Sequence, residues 1–254
     1  WTPVVFLYIM LVIKDPKIMN AMLLAVFSAL FLMSHNPMAL IFVPIMAIWA
    51  VIFIFMTKNY KSLPKLVLGG VWGLGLAAFF TLPVLLESSL VHIETLFIGY
   101  FNYLAHFVSI HQMFFSLFWG FGGSVWGTED SMSFQIGWLH WGTILFILPL
   151  ACIWWKQEKL RSVVLFFIFN FFWVAAFLMH PRSNPVWEKI AILQTLQFPW
   201  RLLAVTIFTA SLGAGALFAS KVNRNLLLVL SVCLFAAITI LYKDYFQIEK
   251  PIKL

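Results

Sequence analysis

The 254 residues are 63% apolar and only 10% charged, they include 12 Trp and 28 Phe, and they carry a formal net charge of +7. An average soluble domain is about half apolar and a quarter charged, so sixteen basic and nine acidic residues cannot coat a folded core of this size. The composition excludes an ordinary water-soluble domain and points to a chain whose surplus apolar surface faces lipid.

A helix that crosses ~30 Å of hydrocarbon needs roughly 20 mainly apolar residues. In chain order, spans are predicted at 18–34, 37–56, 66–86, 137–155, 162–179, 202–220 and 225–242. Residues 2–13 are equally apolar, but a dozen residues rise only about 18 Å. With Trp1 leading and no basic n-region or cleavage site, this stretch does not resemble a signal peptide. It is expected to be the end of a helix that begins upstream. The predicted fold class is all-α: a polytopic transmembrane helical bundle of about seven or eight spans, forming one domain over 1–254.

The short connections are basic by turns. Lys14, Lys17, Lys58, Lys61, Lys65, Lys156, Lys159, Arg161, Lys221 and Arg224 make ten of the sixteen basic residues. The positive-inside rule places them in the cytoplasm. The net charge therefore reads as topology and not as nucleic-acid binding, for which no basic–aromatic groove is seen.

The segment 87–136 contains no Lys or Arg and is read as an extracytoplasmic loop. Within it, Thr95, Gly99, Asn102, His106, Ser109, Gln112 and Ser116 recur at steps of three or four, which places them on one helix face. Two readings compete for 96–118. One is an amphipathic helix lying on the outer membrane surface; the other is a further crossing with its polar stripe facing a bundle cavity. The surface helix is preferred, because Asn102, His106, His111 and Gln112 sit mid-segment, where polar groups are costly in lipid. All six His then fall on or near the outer side, as do Glu87, Glu94, Glu129, Asp130, Glu188, Asp244 and Glu249. Longer outer loops that simply collect polar residues explain this equally well.

Several local features bear on chemistry. In Ser34-His35-Asn36-Pro37, Pro37 suits a helix's first turn and Asn36 is a natural N-cap. His35 is not needed for capping and is able to bond a phosphate or a substrate hydroxyl. The run Phe118 to Gly127 is Gly-rich and flanked by Trp119 and Trp126. It reads either as a phosphate-cradling loop or as an interfacial turn, and it lacks the Gly-Lys-Ser/Thr of a P-loop. Glu129 and Asp130 follow it. Adjacent carboxylates suit a divalent cation or a base, although such pairs are more often solvated turns. Arg201, after Gln197-Phe198-Pro199-Trp200, sits where outer head groups are expected. A guanidinium there grips a phosphate through two parallel hydrogen bonds or merely snorkels. Gly69 and Gly73, with Gly70 and Gly75, form a small-residue packing face, and Ser211 with Gly215 repeats it. Pro44, Pro83 and Pro149 are candidate kinks. Cys152 and Cys233 lie in apolar spans, have no metal spacing and read as inert core thiols.

Three pieces together resemble a known family: Ser34-His35-Asn36, the stretch from Phe121-Gly122-Gly123-Ser124 through Asp130 to Gly137, and Leu196-Gln197-Phe198-Pro199-Trp200-Arg201-Leu202. Their order and spacing are similar to bacterial multi-spanning proteins labelled "6-pyruvoyl-tetrahydropterin synthase-related" membrane domains, which are related to the GT-C glycosyltransferases. Nothing here resembles the soluble pterin enzyme of that label. The resemblance implies a GT-C-like bundle with an outer interfacial helix, membrane lipids as surroundings, and a polyprenyl-phosphate sugar donor used at the outer face of a bacterial plasma membrane. It implies no resident cofactor beyond a divalent cation. The family's acidic catalytic residue sits in the first outer loop, which would lie upstream of Trp1, so no catalytic residue is assigned. The substrate-binding residues it suggests are His35, Glu129, Asp130, Gln197 and Arg201. A lipid-linked saccharide flippase and a non-catalytic scaffold for envelope assembly are the alternatives.

Overall fold

The computed structural model describes residues 1–120, 122–125, 127, 129–218 and 224–246. Among these residues every regular element is helical. The chain forms two compact units. The first is Trp1–Phe101 with Ile192–Gln197, and the second is Asn102–Ala191 with Phe198–Leu254.

The first unit is built on α1 (Thr2–Lys14), α2 (Ile18–Ser34), α3 (Asn36–Thr57) and α4 (Leu63–Leu76). Pro3, Pro37 and Pro64 each lie in a helix's first turn, where the missing N–H costs nothing. The turn at His35 differs by one residue from expectation. His35, in an extended conformation, is the residue before α3; Asn36 is already helical, and no side chain caps the helix. Lys58 closes α3 in the left-handed conformation, with φ 54°, a common way to end a helix.

Close packing of α4 on α2 follows from two of the four glycines singled out above. A Cβ on Gly69 would lie 2.9 Å from the Ala21 carbonyl oxygen, and one on Gly73 would lie 2.8 Å from Ser28 Cβ. Gly70 and Gly75 face open space and contribute nothing to this contact.

The predicted span 66–86 is not one straight helix. α4, with its leading turn from Tyr60, and α5 (Ala78–Leu86) meet at a bend of 72°. The break falls at Ala77, whose backbone sits at φ −88°, ψ 0°, and not at Pro83 inside α5. No residue of α5 is buried.

The second unit packs three helices: α7 (Trp138–Trp154), α8 (Lys159–Met179) and α11 (Leu203–Phe218). The close approach of α11 is made at Gly213, where a Cβ would collide with Ile147 Cδ1 and lie 3.6 Å from Ile168 Cγ2. The expected Ser211–Gly215 face is not the one used: Ser211 is exposed and Gly215 meets nothing. The short helices α6 (Ile110–Phe114), α9 (Asn184–Lys189) and α10 (Ala191–Gln194) lie in the connections, and α12 (Arg224–Leu241) follows α11. Residues 219 and 220 of the predicted span 202–220, together with Lys221 and Glu249, lie outside the described residues.

Among the described residues two helices, α3 and α8, are long and apolar enough to cross a membrane; the bent α4–α5 pair makes a third if it is one span. α1, α2, α7 and most of α12 are apolar but shorter.

The expected amphipathic helix over 96–118 is absent, and so is the alternative crossing. Residues 88–106 fold as four short 3-10 turns, and the only α-helix of the segment is the five-residue α6. The polar residues of the stripe explain why. The Thr95 hydroxyl donates to the His92 carbonyl, Asn102 Oδ1 accepts from the Leu104 N–H, and Ser109 forms a capping box with Gln112. Ser116 Oγ accepts from the Phe118 N–H. Short polar side chains that bond nearby backbone offer the chain an alternative to helix, and Gly99 adds a left-handed break at φ 58°.

Candidate functional site

The candidate site lies at one end of the second unit. α8 begins beside the short turn after α7, so the two run antiparallel, and Lys156, Lys159 and Arg161 mark that turn. Lys159 Nζ lies 5.5 Å from the Trp155 ring and Arg161 forms a 2.6 Å ion pair with Glu158. The N-terminus of α7 and the C-terminus of α8 therefore share the opposite end, where the polar connections 102–137, 180–191 and 198–202 gather. Val108 N–H donates to Met179 O at 2.8 Å, and Ile136 N–H donates to Met113 O at 2.9 Å, tying these connections together.

Asp130 is held there. Ser116 Oγ donates to Asp130 Oδ2 at 2.5 Å, while the neighbouring Glu129 uses its main-chain carbonyl to accept from Gln112 Nε2 at 3.1 Å. Burial, then Tyr242 and Asp130, push the Tyr245 phenol above its ordinary value; the same phenol donates to Gln135 Oε1 at 3.3 Å. The carboxylate of Glu129 is exposed. No group of three His, Cys, Asp or Glu side chains among the described residues is placed to hold a metal ion. Glu129 and Asp130 are thus a structured turn with one engaged carboxylate.

Gly122, in the Gly-rich run, is packed against this turn. A Cβ on Gly122 would lie 2.8 Å from the Ser131 carbonyl oxygen, so glycine at 122 serves close backbone approach.

A second cluster stacks aromatic rings around a buried polar pair. His106 and Ser124 are 1% and 2% exposed, with Ser124 Oγ 2.5 Å from His106 Nδ1. Trp200 Nε1 donates to the same Ser124 oxygen at 3.1 Å. The Phe198 ring lies 4.5 Å from the His106 ring and 5.3 Å from that of Trp200. Arg201 completes the stack, its Cζ 4.7 Å from the centre of the Phe198 ring. Burial lowers the guanidinium's pKa from its ordinary value, yet arginine remains a cation at neutral pH. Phe134, four residues after Asp130, reaches Trp200 at 6.4 Å, so the two clusters share one aromatic layer.

Of the five residues singled out in the sequence, Glu129, Asp130 and Arg201 belong to the second unit; His35 and Gln197 belong to the first. His35 is exposed at the α2–α3 turn. Gln197 adopts a left-handed backbone, φ 61°, unusual for a side chain of its size. The residues that sequence reasoning missed are Ser116, Ser124 and Trp200 as bonding partners. Only contacts between positions 14 to 76 residues apart give them meaning. No family model, curated protein or solved structure matches this chain.

Proposed function

We propose that the chain is a multi-pass membrane protein of GT-C type that takes a sugar from a polyprenyl-phosphate donor at the outer face of a bacterial plasma membrane. In this reading the shorter apolar helices cross the bilayer alongside α3 and α8, for about seven or eight crossings in all, among membrane lipids. Arg201 carries the reading. It is a guanidinium fixed over an aromatic ring at the head of an apolar helix, where a lipid-linked phosphate comes to rest.

The chemistry follows from that placement. The donor's anomeric C–O bond breaks, its electron pair stays on the phosphate oxygen, and the acceptor hydroxyl oxygen bonds the anomeric carbon as its proton leaves to a base. A cation already aimed at the phosphate stabilises the charge that grows there. Asp130 and Glu129, in the same unit as Arg201, border the acceptor side.

The test is a transfer assay on membranes containing matched amounts of wild type, Arg201→Lys and Arg201→Ala. Lysine keeps the charge but loses the two-pronged geometry, so both variants are expected to fall by about 30- to 1,000-fold, equivalent to roughly 2–4 kcal/mol. Wild-type rates in both would reduce Arg201 to an interfacial anchor.

A lipid-linked saccharide flippase is the second reading. The 72° bend between α4 and α5 favours it, since transporters use interrupted helices at their binding sites. Movement of a lipid-linked sugar across proteoliposomes without any transfer product would select it.

A further inference from the structure

We propose that the cleft beside Phe107, in the second unit, binds a neutral saccharide through one ring face and two hydrogen-bonding side chains. The cleft has a volume of about 420 Å³ and is bordered by Phe107, Ser109, Gly127, Pro181 and Asn184 among others. Among the described residues that line it, none is charged. A phosphate, carboxylate or ammonium would therefore lose its hydration with no counter-charge to replace it. An acyl chain fits no better, because it would cover the polar atoms of Ser109 and Asn184 and leave them unsatisfied. A sugar ring matches both kinds of wall, since it carries hydroxyls around an apolar C–H face.

The polar groups are oriented before any ligand arrives. Ser109 Oγ accepts the Gln112 N–H at 3.2 Å, and among the described residues its own hydroxyl proton has no acceptor, so it is left to donate. The Asn184 amide is fixed from both ends. Its Oδ1 accepts from Tyr103 Oη at 3.0 Å and its Nδ2 donates to Glu188 Oε1 at 2.7 Å, leaving one N–H and one lone pair to spare. The Phe107 ring stands edge-on to Trp187 and Tyr103, each 5.8 Å away at 88° and 83°. It is thereby held as a rigid platform for the C–H face. At Gly127 the wall has no side chain, and a Cβ there would meet no described atom within 4 Å. Groups fixed in advance spare the ligand the cost of ordering them.

Ala105 and Phe107, both lining the cleft, flank His106, which stacks on Phe198 beneath Arg201. On the transferase reading, this neighbouring stretch of chain gives the cleft the acceptor's role in the transfer. The inference rests on the transferase reading for that role alone, because sugar binding is measured without a donor.

The experiment uses the full chain in a detergent without a sugar head group. Methyl glucoside, methyl galactoside, methyl mannoside and maltose are the probes, observed by saturation-transfer NMR. At least one probe is expected to receive saturation on its ring C–H protons. Ser109→Ala should weaken that binding roughly three- to tenfold, and Ala105→Phe should abolish it by filling the cleft. Leu104→Trp blocks from the more exposed side of the same wall and replaces Ala105→Phe if that variant does not fold. Arg201→Ala should leave sugar binding intact, so that an active Arg201→Ala enzyme would sink the phosphate assignment alone. Absence of transfer to every probe overturns the proposal. So does binding that survives both cleft-filling variants, or binding of decanoate in place of the sugars that those variants abolish.

Discussion

The Asn59 side-chain amide donates to the main-chain carbonyl of Ile13 at 2.7 Å. That single bond joins the end of α1 to the turn between α3 and α4, and it gathers Lys14, Lys17, Lys58, Lys61 and Lys65 at one end of the first unit. The charges that read as a topology signal along the chain are therefore neighbours in the fold.

This arrangement predicts sidedness. In a background with Cys152 and Cys233 replaced (both are exposed and not the core thiols expected from the sequence), Lys17→Cys and Lys61→Cys should be protected from an impermeant maleimide in intact cells. His35→Cys, at the other end of α2, should be labelled. Different outcomes at positions 17 and 61 would contradict the shared end, and labelling of both with protection of 35 would invert the orientation.

The α2–α4 contact predicts a split among neighbouring glycines. Gly73→Leu must force a side chain against Ser28 and the Ala25 carbonyl, and Gly69→Leu must force one against Ala21 and Leu24. Overpacking of this kind costs about 1–3 kcal/mol. Gly70→Ala and Gly75→Ala enter open space and should melt at or above the wild-type temperature. Thermal unfolding in detergent reads the difference, and equal losses at all four positions would mean that helix propensity and not packing is being measured.

The helices were legible because each apolar block is bounded by Lys, Pro or a turn residue. Predicted and observed limits for α2, α3, α7 and α12 agree within about two residues, which is as well as helix ends are defined. The bend at Ala77 was not legible, since alanine is an ordinary helix former and Pro83 was the obvious kink. The segment 88–116 misled for a physical reason: residues at helical spacing form a helix only if their side chains leave the backbone alone. Here Asn102, Ser109 and Ser116 bond it instead. Arg201 stood out as a charge beside an apolar run, but Ser124 did not, because nothing near it in sequence hints at His106 or Trp200.

His180 should make the end of α8 sensitive to acid. Its Nδ1 accepts the Arg182 N–H at 3.2 Å, which requires the unprotonated nitrogen. Burial, and then the Arg182 charge, hold its pKa below the ordinary histidine value. A base with a depressed folded-state pKa binds fewer protons folded than unfolded. Its stabilising effect is thus complete above the unfolded pKa and is lost as pH falls from there through the folded value. Wild type should lose more thermal stability between pH 7.5 and pH 5 than His180→Asn, whose side chain still caps the turn but does not titrate. Parallel pH profiles for the two proteins would remove His180 from the account.

Ser124 should be a structural hinge pin of the aromatic layer and not a nucleophile. Its oxygen accepts from Trp200 Nε1 and shares a second hydrogen bond with His106 Nδ1, whose direction is set by the imidazole tautomer. A serine bonded to a histidine has the outline of an acylating pair, but both residues are almost wholly buried, and an attacked carbonyl would have no approach. A fluorophosphonate probe is therefore expected to leave the folded protein unlabelled. Ser124→Ala withdraws an acceptor from the Trp200 N–H and a hydrogen-bond partner from His106 inside a desolvated cluster, a loss of about 1–3 kcal/mol. The consequence should extend to Arg201, because Phe198 is wedged between His106 and the guanidinium. On the proposed transferase reading, Ser124→Ala should raise KM for a polyprenyl-phosphate donor several-fold more than it lowers kcat, whereas Arg201→Ala should lower kcat itself. Specific fluorophosphonate labelling at position 124 would overturn the structural role. A Ser124→Ala protein as stable as wild type would show that the buried pair does not hold the layer together.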